Sequence, residues 1–546
     1  MQIVQLNGVS VNYAGRQIFR GLSWSLGDRD RVGLVGPNGS GKSSLLKLIA
    51  GVTLPDEGVV TRMRGVTIGY LPQQITLTSG NRLIDEAMRL PPELAQVEGA
   101  LNAAETQLAS PDVFNDPDRL ARALAEQESL IARYQGLGGA QHASKVRELL
   151  AHVGFTPDDY NLPIDGLSGG QKKLVALVRL AAENPDLLLL DEPDNHLDVA
   201  AKHRLESFIR AFAGAVVIVS HDRYLLDDVA DQIAELANGA LTIYAGNYSA
   251  YVAERELRRL RQQQMYIAQQ KRIAQIEAAI ARFELWASMV VDERHIRQAR
   301  SRRKMLERME VRGEIVEQVT EARRLSLKLE GWRGSTKALE ARALSAAFDE
   351  EYLFADLEFL IRHGERIGLI GPNGAGKSVL FRMLLGELVP FEGEVRVGPS
   401  TRIGYYAQEH QTLELWWERT PIEFIRDVSP SDEGTAVALL TQFLFTYERA
   451  RQPIHTLSGG ERSRLQLAAV MLQKPNLLLL DEPTNNLDIP SSEALENALE
   501  DFDGAVFVIS HDRYFLDRVV DRVFELKDGV LRAFEGGYTD YLAALN

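Results

Sequence analysis

The chain has 546 residues, 45% hydrophobic and 25% charged, with a net charge of −15 and no cysteine. That length exceeds one ordinary core and predicts two or three domains; the missing cysteines exclude a disulfide framework or thiolate metal site, and the negative charge by itself argues against a nucleic-acid binder. No apolar run approaches the ~18 residues of a membrane span, so a cytoplasmic protein with no pore of its own is expected.

The first residues, Met1 to Leu6, alternate like a strand and lack the apolar core of a signal peptide. A short apolar run, Arg31 to Val35, reads as a buried strand. It leads into Gly36-Pro37-Asn38-Gly39-Ser40-Gly41-Lys42-Ser43, after which Leu45, Leu46, Leu48 and Ile49 follow a helical spacing. Strand, glycine-rich loop and helix is the setting of the phosphate loop, Gly-x4-Gly-Lys-Ser/Thr. Its glycines let backbone N–H groups converge on phosphate oxygens at a helix N-terminus. Lys42 would neutralise β- and γ-phosphate charge, and the Ser43 hydroxyl can ligate Mg2+. One such loop could be an inert turn, but the chain carries a second in the same setting: Gly371-Pro372-Asn373-Gly374-Ala375-Gly376-Lys377-Ser378.

The two loops belong to a tandem duplication. An offset of 335 carries Tyr13 to Phe348, Lys42 to Lys377 and Gln73 to Gln408; further on, an offset of 290 carries Ser168 to Ser458, Asp191 to Asp481 and His221 to His511. The first copy is therefore 45 residues longer between Gln73 and Ser168. The extra segment falls within about 81–150. There 92–108 and 117–134 read as helices, with a break at Ser110-Pro111-Asp112 and an N-cap plus proline at Asp116-Pro117. A helical hairpin is the simplest reading, whether as a working arm or an inert decoration.

Leu167-Ser168-Gly169-Gly170-Gln171 and Leu457-Ser458-Gly459-Gly460-Glu461 each open a helix, and their serine and backbone amides again suit phosphate. One compact repeat does not need two phosphate sites, so head-to-tail pairing is expected, one repeat's loop facing the other's serine-glycine-glycine. Four leucines run into Asp191-Glu192, and four more into Asp481-Glu482. An aspartate at such a strand end can hold Mg2+, and the glutamate after it can orient or deprotonate an attacking water. His221 and His511 also end apolar strands, where they are placed to reach a γ-phosphate.

Residues 246–335 join the copies. Ile267, Ile273, Ile276, Ile280 and Phe283 share a helix face, Leu306 and Met309 read as the returning helix, and 287–295 as the tip. Between Val252 and Gly313 stand 15 lysines and arginines against 8 acids. Arg294, Arg297, Arg300, Arg302, Arg303 and Lys304 lie in a stretch with no acid at all. Such a run is either a solvated face or, on so acidic a body, a site for a phosphate backbone.

Together these motifs resemble the ATP-binding cassette superfamily. Asp191-Glu192-Pro193-Asp194-Asn195-His196-Leu197-Asp198, its counterpart 481–488, and Gly246-Asn247-Tyr248-Ser249 opening a helical linker resemble its ABC-F subfamily. The resemblance implies an α/β fold of two tandem P-loop cassettes, 1–245 with a helical arm and 336–546, joined by a helical-hairpin linker at 246–335. It implies an ATPase binding two Mg-ATP between the cassettes of one chain, working as a monomer. Its partner would be the ribosome, at the E site, with the basic linker 294–304 near rRNA and P-site tRNA. A branched-DNA binder or repair ATPase is the alternative, and the motor subunit of a transporter a third reading.

Carried over residue by residue, Tyr13 and Phe348 would stack on adenine, though a core aromatic is the rival reading. Gln73 and Gln408 would lie near Mg2+ and the γ-phosphate, and Asp198 and Asp488 would cross the interface. The nucleotide would be held by Gly36, Asn38, Gly39, Gly41, Lys42, Ser43 and Ser44 in one copy. Gly371, Asn373, Gly374, Gly376, Lys377, Ser378 and Val379 would hold it in the other, each set with the opposing Ser458, Gly459, Gly460 or Ser168, Gly169, Gly170. Ser43 and Asp191, and Ser378 and Asp481, would take the metal. Asp194 departs from the usual threonine, which Thr484 keeps, and an added carboxylate there is expected to raise the pKa of Glu192.

Overall fold

The structure, a computed structural model, describes all residues but 14–15, 76, 290–292, 312–324, 326, 328, 330, 349–350 and 546. At 16, 287–289, 293–295, 299, 306–307, 309–311, 348, 351 and 409–411 it describes the backbone alone.

Each repeat is built on a six-stranded sheet. In the first, the spatial order is Ile68–Leu71, Leu187–Asp191, Ala215–Val219, Arg31–Val35, Gln232–Ala237, Ala240–Ala245, the last strand antiparallel and the rest parallel. The second follows the same order with Ile403–Tyr406, Leu477–Asp481, Ala505–Ile509, Arg366–Ile370, Arg522–Lys527 and Val530–Glu535. The central strands are apolar along their length because both faces are covered. On one face Leu174, Leu177, Leu205 and Ile209 of the helices Gly169–Ala182 and Val199–Ala211 pack on Leu188, Leu190 and Ile218. On the other, the helix Lys42–Ala50 lies between this sheet and a three-stranded antiparallel one, where Leu45, Leu48, Leu189, Val217 and Leu26 meet.

This order decides where the motifs go. The strands ending at Asp191, Val219 and Val35 are neighbours and parallel, so Asp191-Glu192, Ser220-His221 and the phosphate loop emerge along one edge. Ligands bind at the carboxyl ends of such sheets, where the strand order reverses.

Within 81–150 the main helices are Pro92–Leu108 and Pro117–Gly136, with a short turn of helix at Pro111–Phe114 between them. Asp116 caps the second through the N–H groups of Asp118 and Arg119, and the ion pair Arg133–Glu93, 3.1 Å, ties the two together. In the linker, the helix Tyr248–Met289 has 42 residues, a span of about 63 Å. Asn247 caps it through the Ala250 N–H at 3.1 Å. The helix Glu293–Val311 returns beside it, with Arg303 on Glu284 at 2.7 Å and Arg302 over the Phe283 ring at 4.8 Å. Of the tip expected at 287–295, 287–289 and 293–295 are helical backbone of these two helices; 290–292 and the Arg294 side chain lie outside the described residues.

Candidate functional site

Both phosphate loops turn into their helices through a glycine in the left-handed region, Gly41 at φ 99° and Gly376 at φ 94°, a backbone shape costly for any other residue. The turn sends the lysine back over its own loop. Lys42 Nζ donates to the carbonyls of Gly36 (2.7 Å) and Pro37 (3.1 Å), and Lys377 to those of Gly371 (2.8 Å) and Pro372 (2.9 Å). Both lysines are buried. Burial holds each below its ordinary pKa, while nearby carboxylates pull it back up, foremost Glu192 for Lys42 and Glu482 for Lys377.

The loops are completed from the other repeat. The Asn38 N–H donates to Asp488 Oδ2 at 3.0 Å, and the Asn38 side chain donates to the Asn486 carbonyl at 3.2 Å. Asn373 makes the same pair of contacts to Asp198 (3.3 Å) and to the His196 carbonyl (3.0 Å). Each aspartate also caps its own helix, Asp198 through Ala201 N–H at 2.8 Å and Asp488 through Ser491 N–H at 3.1 Å. The serine-glycine-glycine turns fit beneath. A Cβ on Gly460 would stand 2.8 Å from the Asn486 carbonyl and 2.9 Å from Asn38 Nδ2; one on Gly170 would stand 2.6 Å from the His196 carbonyl. Only a bare backbone fits there. The side chains of Ser168 and Ser458 are engaged in capping boxes with Gln171 and Glu461.

A cavity of about 850 Å3 opens between the Lys42 loop and the second repeat. Among its walls are Tyr13, Asn38, Gly39, Gly41, Ser43, Ser44, Gln73, Glu192 and His221 from the first repeat, and Ser458, Gly459, Gly460 and Asp488 from the second. Tyr13 stands at its rim, 76% exposed.

At the strand ends, Asp191 and Asp481 are buried carboxylates. Asp191 Oδ1 and both oxygens of Asp481 lack a well-formed hydrogen bond. Burial raises both, Asp481 to about 6, with Ser43 and Ser378 beside them pulling the other way. Underused carboxylate oxygens next to a serine hydroxyl fit Mg2+, which takes one or two protein ligands and completes its shell with phosphate and water. Among the described residues no cluster of three or more His, Cys, Asp or Glu could hold a metal unaided.

The following glutamates sit in the left-handed region, both at φ 51°, a strained position of the kind found at functional sites. They are not equivalent. Glu192 Oε2 accepts from Gln73 Nε2 at 2.7 Å and Asn195 Nδ2 at 2.6 Å. Glu482 is more deeply buried and accepts from the His511 N–H at 3.3 Å, while its Oε1 has no hydrogen-bond partner. Burial and then Asp481 push Glu482 up to about 8; Glu192 is raised by the same causes, burial and Asp191. Both histidines are neutral at pH 7, because burial carries His221 down to about 4 and His511 well below its ordinary value. Their Nε2 atoms lie 3.8 and 3.5 Å from Glu192 and Glu482.

The expected effect of Asp194 on Glu192 is not what the structure shows. Asp194 is buried with Ser220, Lys202 and Asp222, and the like charge that raises Glu192 is Asp191. Gln408 opens the 3-10 turn Gln408–Trp416 without a hydrogen bond to Glu482, unlike Gln73 with Glu192. The Val379 side chain packs against the second repeat's core, which leaves its backbone for a ligand. The Phe348 side chain lies outside the described residues.

Sequence reasoning missed a charged seam at the interface. Arg223 meets Glu496 at 3.1 Å, Arg513 meets Glu206 and Asp222, and Tyr224 and Tyr514 pack edge to face at 6.4 Å. The offset of 290 relates the two arginines and the two glutamates, and that recurrence of charge between buried segments was the available signal. Asn195 and Lys202 were also missed.

A family model described as ABC transporter matches residues 19–195 and 354–485, and a second of the same description matches 234–326. The chain is 36% identical over 543 residues to the ATP-binding protein YdiF of Bacillus subtilis, covering 99% of this chain and 82% of that one. It is 34% identical over 531 residues to the energy-dependent translational throttle protein EttA of Escherichia coli K12, covering 96% and 92%. With ABC transporter F family member 5 of Arabidopsis thaliana it shares 31% over 542 residues, covering 99% and 77%. Among solved structures, archaeal ribosome recycling factor aABCE1 in complex with stalk protein aP1 superposes with a TM-score of 0.57 at 19% identity, covering 98% and 92%, a likeness of fold.

Proposed function

The chain belongs to the F family of ABC transporter ATPases, and from that premise we propose that it is a translation factor closing on two Mg-ATP while bound to the ribosome. The observation that carries the ATP part is the reciprocal contact of Asn38 with Asp488 and Asn373 with Asp198, which makes each cleft a joint product of both repeats. Lys42 and Lys377 would leave their loop carbonyls for β- and γ-phosphate oxygens. Asp191 with Ser43, and Asp481 with Ser378, would hold Mg2+, which when bound neutralises charge on the phosphates. Glu192 and Glu482 would orient the attacking water, and the neutral His221 and His511 would present Nε2 to the γ-phosphate. Tyr13 and Phe348 would stack on adenine.

The ribosomal part is supported by kinship with a relative named for throttling translation and by the linker, where Arg300, Arg302 and Lys304 are exposed. In this reading the body binds at the E site and the hairpin reaches toward P-site tRNA. Among the described residues no helix is long and apolar enough to cross a membrane. Co-sedimentation with 70S ribosomes tests the proposal: retention is expected with a non-hydrolysable ATP analogue and release without it. ATP turnover with no retention in either state would leave the ATPase and remove the ribosome; tight binding of branched DNA instead would favour the repair reading.

A further inference from the structure

The two clefts are related by an approximate twofold that several charged groups break, and one of them reaches across the interface. Lys202 lies on the helix Val199–Ala211, one turn past the interface aspartate Asp198. Its counterpart is Ser492, and the counterpart of its neighbour Asp194 is Thr484. A buried lysine and a buried aspartate therefore occur together in the first repeat and are absent together from the second. Lys202 is 8% exposed. Its ammonium donates to Asp222 Oδ2 at 2.9 Å within its own repeat and to the main-chain carbonyl of His511 across the interface, also at 2.9 Å. His511 in turn donates its N–H to Glu482 at 3.3 Å and carries Nε2 to within 3.5 Å of the same carboxyl group.

We propose that Lys202 is a positioning residue acting in trans, holding the His511 backbone so that His511 and Glu482 meet the nucleotide bound on Lys377, with no reciprocal group serving the site on Lys42. A buried cation is costly unless it is paired and hydrogen-bonded. Here Asp222 supplies the pair, itself anchored by Arg513 of the opposite repeat at 3.3 Å and by the Leu225 N–H at 3.1 Å. Asp194 adds a second carboxylate near the ammonium. The arrangement is rigid because every partner is buried, and the one bond it directs at the other repeat ends on the peptide beside the γ-phosphate histidine. At the Lys42 site the equivalent position, Ser492, is too short to span the interface. There Gln73 and Asn195 supply the hydrogen bonds to Glu192. Each cleft thus orients its glutamate differently, one from within its own repeat and the other through its partner's lysine. The opposite repeat must be docked for the second arrangement to exist, so turnover at the Lys377 site is tied to closure more tightly than turnover at the Lys42 site.

The inference rests on the ATPase reading of the two clefts and not on the ribosome. It is tested by single-turnover phosphate release with one site silenced: Glu192→Gln reports the Lys377 site and Glu482→Gln the Lys42 site. Lys202→Met should lower the rate constant at the Lys377 site at least five times more than at the Lys42 site, with the ATP concentration for half-maximal rate changed less than twofold. Lys202→Gln, uncharged but able to donate one hydrogen bond to the His511 carbonyl, should recover part of that loss. It also serves as the test variant if the methionine protein does not fold. Equal losses at the two sites, or a loss confined to apparent ATP affinity, would overturn the positioning role. Undiminished phosphate release from the double Glu192→Gln, Glu482→Gln protein with Lys202 intact would instead count against the roles given to the glutamates, a separate and recognisable failure.

Discussion

Asp488 offers the most direct measure of what holds the repeats together. Its two oxygens do different work: Oδ1 caps its own helix through the Ser491 N–H at 3.1 Å, and Oδ2 accepts the Asn38 N–H of the opposite phosphate loop at 3.0 Å. Burial opposes its charge, yet these hydrogen bonds outweigh it and hold the carboxyl below its ordinary pKa, so the contact to Asn38 is made by an anion. Asp488→Ser keeps a good N-cap but is one atom too short to reach across. What is lost is a hydrogen bond to a charged group, about 1.5–3 kcal/mol, or about tenfold to a hundredfold in the closure equilibrium. Asp198→Ser removes the counterpart, which at 3.3 Å is longer, and should cost less. Closure can be read by energy transfer between labels on the two repeats, titrated with a non-hydrolysable ATP analogue, with melting temperature as the check that the cap survives. An analogue titration for Asp488→Ser that superposes on the parent would refute the reasoning, as would a larger shift from Asp198→Ser.

Gly460→Ala should separate the Lys42 loop from its opposing turn, because the new methyl meets Asn38 Nδ2 of that loop at 2.9 Å; overpacking of this kind costs about 1–3 kcal/mol, and ATP turnover at that site should fall accordingly. Replacing Arg300, Arg302 and Lys304 with glutamine should flatten the salt dependence of ribosome binding by about 2 in log–log slope, with ATPase activity little changed. An unaltered slope in co-sedimentation against KCl would return the basic run to a solvated face. Burial pushes Glu461 up, but hydrogen bonds from Arg449 and from Ser458 outweigh it and hold its carboxyl at about 2. Its folded pKa lies below the ordinary 4.5, so the folded form binds fewer protons and stability is lost as pH falls from about 4.5 to about 2, by about 3 kcal/mol. Glu461→Gln should lack that acid-dependent part, measured by denaturant unfolding followed through Trp416 and Trp417 fluorescence at pH 5 and pH 3.

Much of the chemistry is local and therefore legible in the chain. A phosphate loop needs glycines at fixed places before a helix, and four leucines running into Asp-Glu need a strand covered on both faces; neither depends on distant residues. Repetition at two offsets identified the duplication, and the serine-glycine-glycine turns implied that each cleft is shared. What the chain alone could not decide is which partner each polar group chooses, because that is settled by packing between segments far apart in sequence. Asp194 is three residues from Asp191 and two from Glu192, yet it faces Lys202 and Asp222, because the helix after Asp198 folds back over the histidine turn. Gln73 reaches Glu192 while Gln408 begins a 3-10 turn and makes no such bond. Lys202 is an ordinary helix lysine until the repeats dock and its ammonium meets the His511 carbonyl 309 residues away. Local sequence determined the two clefts and the groups at their strand ends, and Asp194 against Thr484 already marked them as unlike; only the tertiary structure decided how they differ, since desolvation and hydrogen-bond geometry arise between elements and not within them.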